Sequence, residues 1–274
     1  MLHPIRRYFK LLVHFSVYGN LLVAFGAYSL SIFFLGIQSE AVQFSQPLPL
    51  FIFFATLFTY NFHRRIGMEL YGEAVHSASV DWMIAHPILS RSITLISFAG
   101  AVYYFMDLPK STYILIAPLA LISLMYVIRF SDGVPLRQVP FLKIFLIALA
   151  WSSAVILLTA LSLELQLDTR SLLLFLAIFC FMIAEILPFD IRDMRSDRKT
   201  DLKTIPNYLG IRSSIWIGMI CLLASNLLLL LAIDLNLYSP IFISWFLASI
   251  YLLICSMLSK VQRSDLFYSL FVEA

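Results

Sequence analysis

Hydrophobic residues run from Leu11 to Leu258 with only short polar interruptions, and the runs do not alternate with a period of two. Backbone in lipid must satisfy its hydrogen bonds internally, so runs this long and continuous predict helices rather than barrel strands. The pattern predicts eight spans, at Leu11–Ile37, Leu48–Phe62, Ser92–Met106, Thr112–Ile128, Phe141–Leu163, Ser171–Phe189, Ser213–Ile233 and Tyr238–Leu258. Crossing the hydrocarbon takes ~20 residues. The second and third spans are short by that measure, so they either continue into flanking polar turns or line a cavity. The apolar tail Phe267–Val272 predicts an interfacial helix or a partial ninth span. The expected fold is an all-α polytopic transmembrane helix bundle, a single integral-membrane domain over residues 1–274. Basic residues precede the first run, but its length and the lack of a small-residue cleavage pattern predict a retained helix rather than a signal peptide.

Composition sharpens this picture. The 274 residues are 61% hydrophobic and 13% charged, against ~25% charged in soluble domains, which excludes a soluble globule. A net charge of +3 with no basic run interleaved with aromatics gives no support to a nucleic-acid partner. Cys180, Cys221 and Cys255 sit inside apolar runs without paired spacing and read as reduced core residues.

Charge also orients the chain. With eight spans, 17 of the 19 Lys and Arg residues fall on one side, leaving Lys110 and Arg170 on the other. By the positive-inside rule the N-terminus and the segment after Leu258 are then cytoplasmic. The expected location is a bacterial inner membrane or its equivalent.

Two cytoplasmic stretches, about 63–91 and 190–212, concentrate polar residues and are expected to cap a site. The second contains Asp190, Asp193, Asp197 and Asp201, spaced 3, 4 and 4. If the sixth helix continues, these carboxylates share one face, each a turn from the next. Stacked carboxylates repel, and Mg²⁺ is a natural relief because it takes a few carboxylates together with water and phosphate oxygens. The interleaved Arg192, Arg195, Arg198, Lys199 and Lys203 suit phosphate. The plainer alternative is a solvated helix end with mixed i,i+4 pairs and positive-inside anchoring.

The order Asp190-x-x-Asp193-x-x-x-Asp197-Arg198, then Lys203-Thr204-Ile205-Pro206 and Leu209-Gly210, resembles the second aspartate-rich motif of the UbiA superfamily of intramembrane prenyltransferases. The resemblance implies a UbiA-like bundle of about nine helices around a central cavity, in which a prenyl diphosphate donates its prenyl group to an aromatic or other lipophilic acceptor. It implies Mg²⁺ held by two aspartate-rich regions on the diphosphate, whose departure leaves an allylic cation. On this resemblance Asp190, Asp193 and Asp197 match the metal-binding carboxylates, Asp193 and Asp197 being the expected catalytic pair. Arg198 and Lys203 match substrate-binding positions, and Asp201 falls where the family commonly has Gly.

The first motif departs from the family pattern of Asn-Asp-x-x-Asp-x-x-x-Asp. Asn61 fits, but Phe62 and Arg65 occupy the first two aspartate positions and Glu69 the third. Phe removes an acceptor, and Arg puts a fixed positive charge where a cation would sit. Either Arg64 and Arg65 bind diphosphate directly, with Glu69 as a remaining metal ligand, or catalysis has been lost.

Other polar residues have two readings each. Glu185, inside the sixth span, must face a cavity or a neighbouring helix rather than lipid. Pro188 bends or ends that helix. His14 reads as a packed histidine, and His63, His76 and His86 form no zinc pattern. Among Arg129, Arg137 and Lys143, the resemblance singles out Arg137 as a diphosphate partner, while positive-inside anchoring explains all three. Tyr60 and Tyr126 can face an allylic cation or belong to an interfacial aromatic belt.

The expected function is thus Mg²⁺-dependent transfer of a prenyl group to a lipophilic acceptor, with membrane lipids as surroundings. The alternatives are a catalytically degenerate relative that binds a lipid or partner protein and, further off, a transporter. Against transport, ionisable residues inside spans are few and no broken helices recur in two matching halves.

Overall fold

A computed structural model describes residues 11–38, 46–71, 77–128, 135–199, 202–261 and 264–272. Every regular element among them is helical. In chain order they are α1 (residues 11–18), α2 (Leu21–Gln38), α3 (Pro47–Tyr71), α4 (Ala78–Ala85), α5 (Pro87–Met106), α6 (Tyr113–Val127), α7 (Leu142–Ser162), α8 (Thr169–Lys199), α9 (Ile205–Ala232), α10 (Pro240–Leu258) and α11 (Asp265–Phe271). Seven helical stretches are long and apolar enough to cross a membrane: α2, α5, Lys110–Val127 around α6, α7, Thr169–Arg198 within α8, α9 and α10. The second expected span lies within α3, which reaches 25 residues by continuing through Asn61, His63, Arg64 and Arg65. Those polar residues lower its apolar character and set it apart from the seven. The third expected span likewise extends backwards, to Pro87. Exposed Leu95, Ile96, Ile114, Ile220, Leu223 and Leu247 mark faces suited to lipid.

The chain divides into two compact units. The first comprises residues 1–30, 43–107 and 264–274. Its core gathers Val17, Tyr18, Ala24, Leu57, Trp82 and Ile93, with Phe15, Phe53 and Leu266 packed against them. Helices α3 and α5 meet through aromatic side chains: Phe54 stacks on Tyr104 at 5.7 Å, and Phe58 lies 5.2 Å from Phe98. Gly100 makes room for this contact, since a Cβ there would fall 2.6 Å from the Phe54 ring. Small residues that let helices approach closely are the usual device in lipid. The tail residues 265–271 form α11, a short helix with Tyr268 fully buried.

The expected single helix Leu11–Ile37 is broken. α1 ends at residue 18, Asn20 adopts a left-handed φ of 63°, and α2 starts at Leu21. A helix end in lipid leaves carbonyls that water cannot satisfy, and α3 supplies the donors. Asn61 Nδ2 donates to Gly19 O at 3.1 Å and to Leu57 O at 2.8 Å. Arg64 donates to Tyr18 O at 2.6 Å and to Asn20 Oδ1 at 2.7 Å. Gly19 fits the tight turn because a Cβ would meet Phe15 O at 2.5 Å, and Asn tolerates the left-handed position that follows.

The second unit comprises residues 31–42 and 108–263. α8 is its spine, packing against α7, α9 and α10. Asp168 Oδ1 starts the helix by accepting from Ser171 N at 2.8 Å and Ser171 Oγ at 2.9 Å. These bonds hold the Asp168 carboxyl below its usual range. Pro188 does not end α8, which runs 31 residues to Lys199. The neighbouring Leu187 and Ile191 are buried on either side of it. α9 approaches α8 at Gly218, where a Cβ would lie 3.5 Å from the Leu187 side chain.

A polar seam joins α8, α9 and α10. Trp245 Nε1 donates to Ser225 Oγ at 3.0 Å, which donates to Ala177 O at 2.7 Å, and Asn226 Nδ2 donates to Ser249 Oγ at 2.8 Å. Phe33, Phe34 and Phe181 surround the Trp245 ring. α9 contains one sharp kink at Gly210, with φ 83° and ψ 166°, a conformation open to glycine and strained for other residues.

Candidate functional site

Both expected polar loops are largely helical. Residues 190–199 continue α8, and 63–71 continue α3, so most of the described charged residues occupy helical positions, while Lys203 lies in the link before α9. Asp201, Arg129, Glu73 and His76 lie outside the described residues.

Within the second unit, Asp190, Asp193 and Asp197 fall on one face of α8, as their spacing predicted. Asp190 is 2% exposed and Asp197 6%, so this face is covered rather than solvated. The cover comes partly from α7. Phe141, in a left-handed conformation at φ 61°, donates its N–H to Lys203 O at 3.0 Å, and its ring meets Tyr208 at 5.6 Å. This anchor ties the start of α7 to the segment after α8 and sets Lys143, in the first turn of α7, against Asp190. Lys143 Nζ and Asp190 Oδ1 are 2.6 Å apart. Tyr126, at the end of α6, and Arg137, in the turn before α7, also lie within electrostatic range of Lys143 and the aspartates.

Asp193 is clamped by its neighbour. Arg192 Nε donates to one carboxylate oxygen at 2.7 Å and its terminal nitrogen to the other at 3.1 Å, a two-point bond of high geometric specificity. The same guanidinium lies 5.2 Å over the Phe189 ring. Arg198 is exposed and donates to Asn207 Oδ1 at 2.9 Å. Lys203 is exposed, and its carbonyl is the one that receives Phe141 N–H.

The residues expected at the site are thus distributed over both units. Asp190, Asp193, Asp197, Tyr126 and Arg137 come together in the second unit. Lys143 joins them at the centre, although the sequence offered it only as one of three basic residues in a turn. Its role depends on a pairing across 47 positions, for which the sequence carries no local signal. Tyr60, Asn61, Arg64, Arg65 and Glu69 lie on α3 in the first unit. There Asn61 and Arg64 cap the broken helix, Arg65 donates to Ser90 Oγ at 3.0 Å, and Glu69 is exposed. Glu185 is half-buried on α8. His14 packs edge-on against Tyr18 at 5.1 Å. His86 stacks on Trp82 with Nδ1 3.0 Å from Trp82 O. Among the described residues no three His, Cys, Asp or Glu side chains are arranged to hold a metal ion.

Comparison with known proteins adds one finding. The model of the UbiA prenyltransferase family matches residues 88–268. That stretch contains Tyr126, Arg137, Lys143 and the acidic face of α8, and it begins after Glu69. No curated protein and no solved structure matches the chain. With about two thirds of its length matched, and with the aspartates of α8 folded onto one face inside the matched stretch, the chain belongs to the UbiA prenyltransferase family.

Proposed function

We propose that the protein transfers a prenyl group from a prenyl diphosphate to a lipophilic acceptor, at the charged face of α8 in the second unit. The observation that carries this reading is the meeting of Asp190, Asp193 and Asp197 with Lys143, Arg137, Arg192 and Tyr126 in a covered setting. In the reaction, the bond between prenyl C1 and the diphosphate oxygen breaks and its electron pair leaves with the diphosphate. The acceptor then bonds to the allylic carbon and loses a proton. Lys143 and Arg137 are cations suited to the charge that grows on the leaving diphosphate, and charges held in place before reaction act strongly in a site of low dielectric. The Tyr126 ring offers a π face to the allylic cation. The seven apolar helices supply the lipid setting that a prenyl chain and acceptor need. The positive-inside count supports a cytoplasmic location for this face.

Enzymes of this family generally use Mg²⁺ through their aspartate motifs. Carboxylates are the right donor type, but here Asp190 is held by Lys143 and both oxygens of Asp193 by Arg192. As folded, Asp190 and Asp193 do not form a preformed divalent site.

The test is turnover and binding with detergent-purified protein and farnesyl diphosphate, with Asp197→Asn and Arg137→Gln alongside. Saturable binding that weakens in Arg137→Gln and changes in Asp197→Asn supports the reading, and unchanged binding in both defeats it. A second reading, a non-catalytic relative that binds a lipid, is favoured by one observation: Asn61, Arg64 and Arg65 are engaged within the first unit. It requires saturable lipid binding with no prenyl transfer to any acceptor in a broad panel.

A further inference from the structure

Asp190 is 2% exposed, and an ionised carboxylate that dry is stable only beside a compensating charge. That charge is the Lys143 ammonium at 2.6 Å. An ammonium has three donor hydrogens, and the bond to Asp190 uses one of them. The Lys143 side chain retains 20% exposure, so it is not wholly enclosed. A divalent cation binding Asp190 would either displace the ammonium from Oδ1 or sit on the other carboxylate oxygen against the repulsion of that fixed positive charge.

We propose that Lys143 is a tethered substitute for a divalent cation: its ammonium holds Asp190 on one side and takes a diphosphate oxygen on the other, so that diphosphate binding does not require Mg²⁺. The proposal rests on the transferase reading for the origin of the diphosphate.

The test uses the full chain in detergent with inorganic pyrophosphate and Mn²⁺ as probes, the latter followed by electron paramagnetic resonance. The wild type and Lys143→Arg are expected to bind pyrophosphate equally well with and without chelator and to bind no Mn²⁺ in its absence. Lys143→Gln leaves Asp190 uncompensated. Its melting temperature is expected to fall and to recover on adding Mn²⁺, which now binds. Its pyrophosphate affinity is expected to drop by at least about tenfold in chelator and to return with metal. Lys143→Gln/Asp190→Asn, a neutral pair, is expected to regain thermal stability without gaining Mn²⁺, which separates a charge effect from a folding defect. The proposal is overturned if chelation abolishes pyrophosphate binding to the wild type, or if the wild type binds Mn²⁺ alone and Lys143→Gln leaves that binding unchanged. Metal-free pyrophosphate binding without turnover of any prenyl diphosphate defeats the transferase reading and leaves the tethered cation standing. Metal-dependent binding with turnover does the reverse.

Discussion

Replacing Arg64 by Met removes two charge-assisted hydrogen bonds, to Tyr18 O at 2.6 Å and Asn20 Oδ1 at 2.7 Å, while keeping an apolar stem of similar length. Hydrogen bonds to charged groups are worth ~1.5–3 kcal/mol each, and a half-buried site falls toward the lower end. The pair should therefore contribute ~3–4 kcal/mol to the first unit. At ~2–4 °C per kcal/mol for a chain of this size class, the melting temperature in detergent should fall by roughly 5–15 °C. Arg64→Lys keeps the charge but loses the fork that reaches two acceptors, and it should recover about half of that loss. Farnesyl diphosphate affinity, measured on the surviving folded protein below the melting transition, should change by less than about threefold, under 1 kcal/mol. An unchanged melting temperature with diphosphate binding weakened more than about tenfold would refute the reasoning. Arg64 would then be a ligand group rather than the cap of α1.

Three further outcomes follow from the packing and the caps. Gly100→Val places branched carbons where even a Cβ lies 2.6 Å from the Phe54 ring; overpacking of this kind costs ~1–3 kcal/mol, to be read as a lower melting temperature, with Gly100→Ala affected less. Trp245→Phe removes the donor to Ser225 Oγ while keeping an aromatic ring; hydrogen bonds between membrane helices average ~0.6 kcal/mol, so a small loss is expected, and Trp245→Ala should cost several times more by also removing the ring from Phe33, Phe34 and Phe181. The Asp168 carboxyl, held below its usual range by Ser171, stabilises the start of α8 only while ionised. That contribution is complete above the ordinary carboxylate value of ~4 and is lost as pH falls through the lower folded value, so the protection of the Ser171 amide, its exchange compared with an unstructured amide at the same pH, should fall at low pH in the wild type and show no such step in Asp168→Asn.

Much of the bundle is legible in the sequence because lipid imposes a single rule on long apolar runs. The spans ending near Met106, Val127, Ser162, Ala232 and Leu258 follow the hydropathy closely. The exceptions share a physical cause. Helices α3, α5 and α8 run on past their apolar segments, and protein partners engage some of their polar continuations, among them Asn61, Arg64, Ser90 and Asp190. Pro188 passes within α8 because buried neighbours hold the helix on both sides. Gly19-Asn20 has the residue types of a helix C-terminus, but the apolar residues on either side hide it. The aspartate face on α8 is legible because its spacing is local. The Lys143–Asp190 pair and the Arg64 cap are not, since they join residues 47, 46 and 44 positions apart and exist only once the helices pack.

The account rests most heavily on diphosphate being held at the charged face of α8 in the second unit. Equilibrium binding of farnesyl diphosphate to the purified chain, compared between wild type, Arg137→Gln and Asp197→Asn, tests this directly. Saturable binding in the wild type that falls by about tenfold, near 1.4 kcal/mol, in Arg137→Gln and changes clearly in Asp197→Asn is the predicted result. Equal affinity in all three proteins, or no saturable binding to the folded wild type, would contradict it.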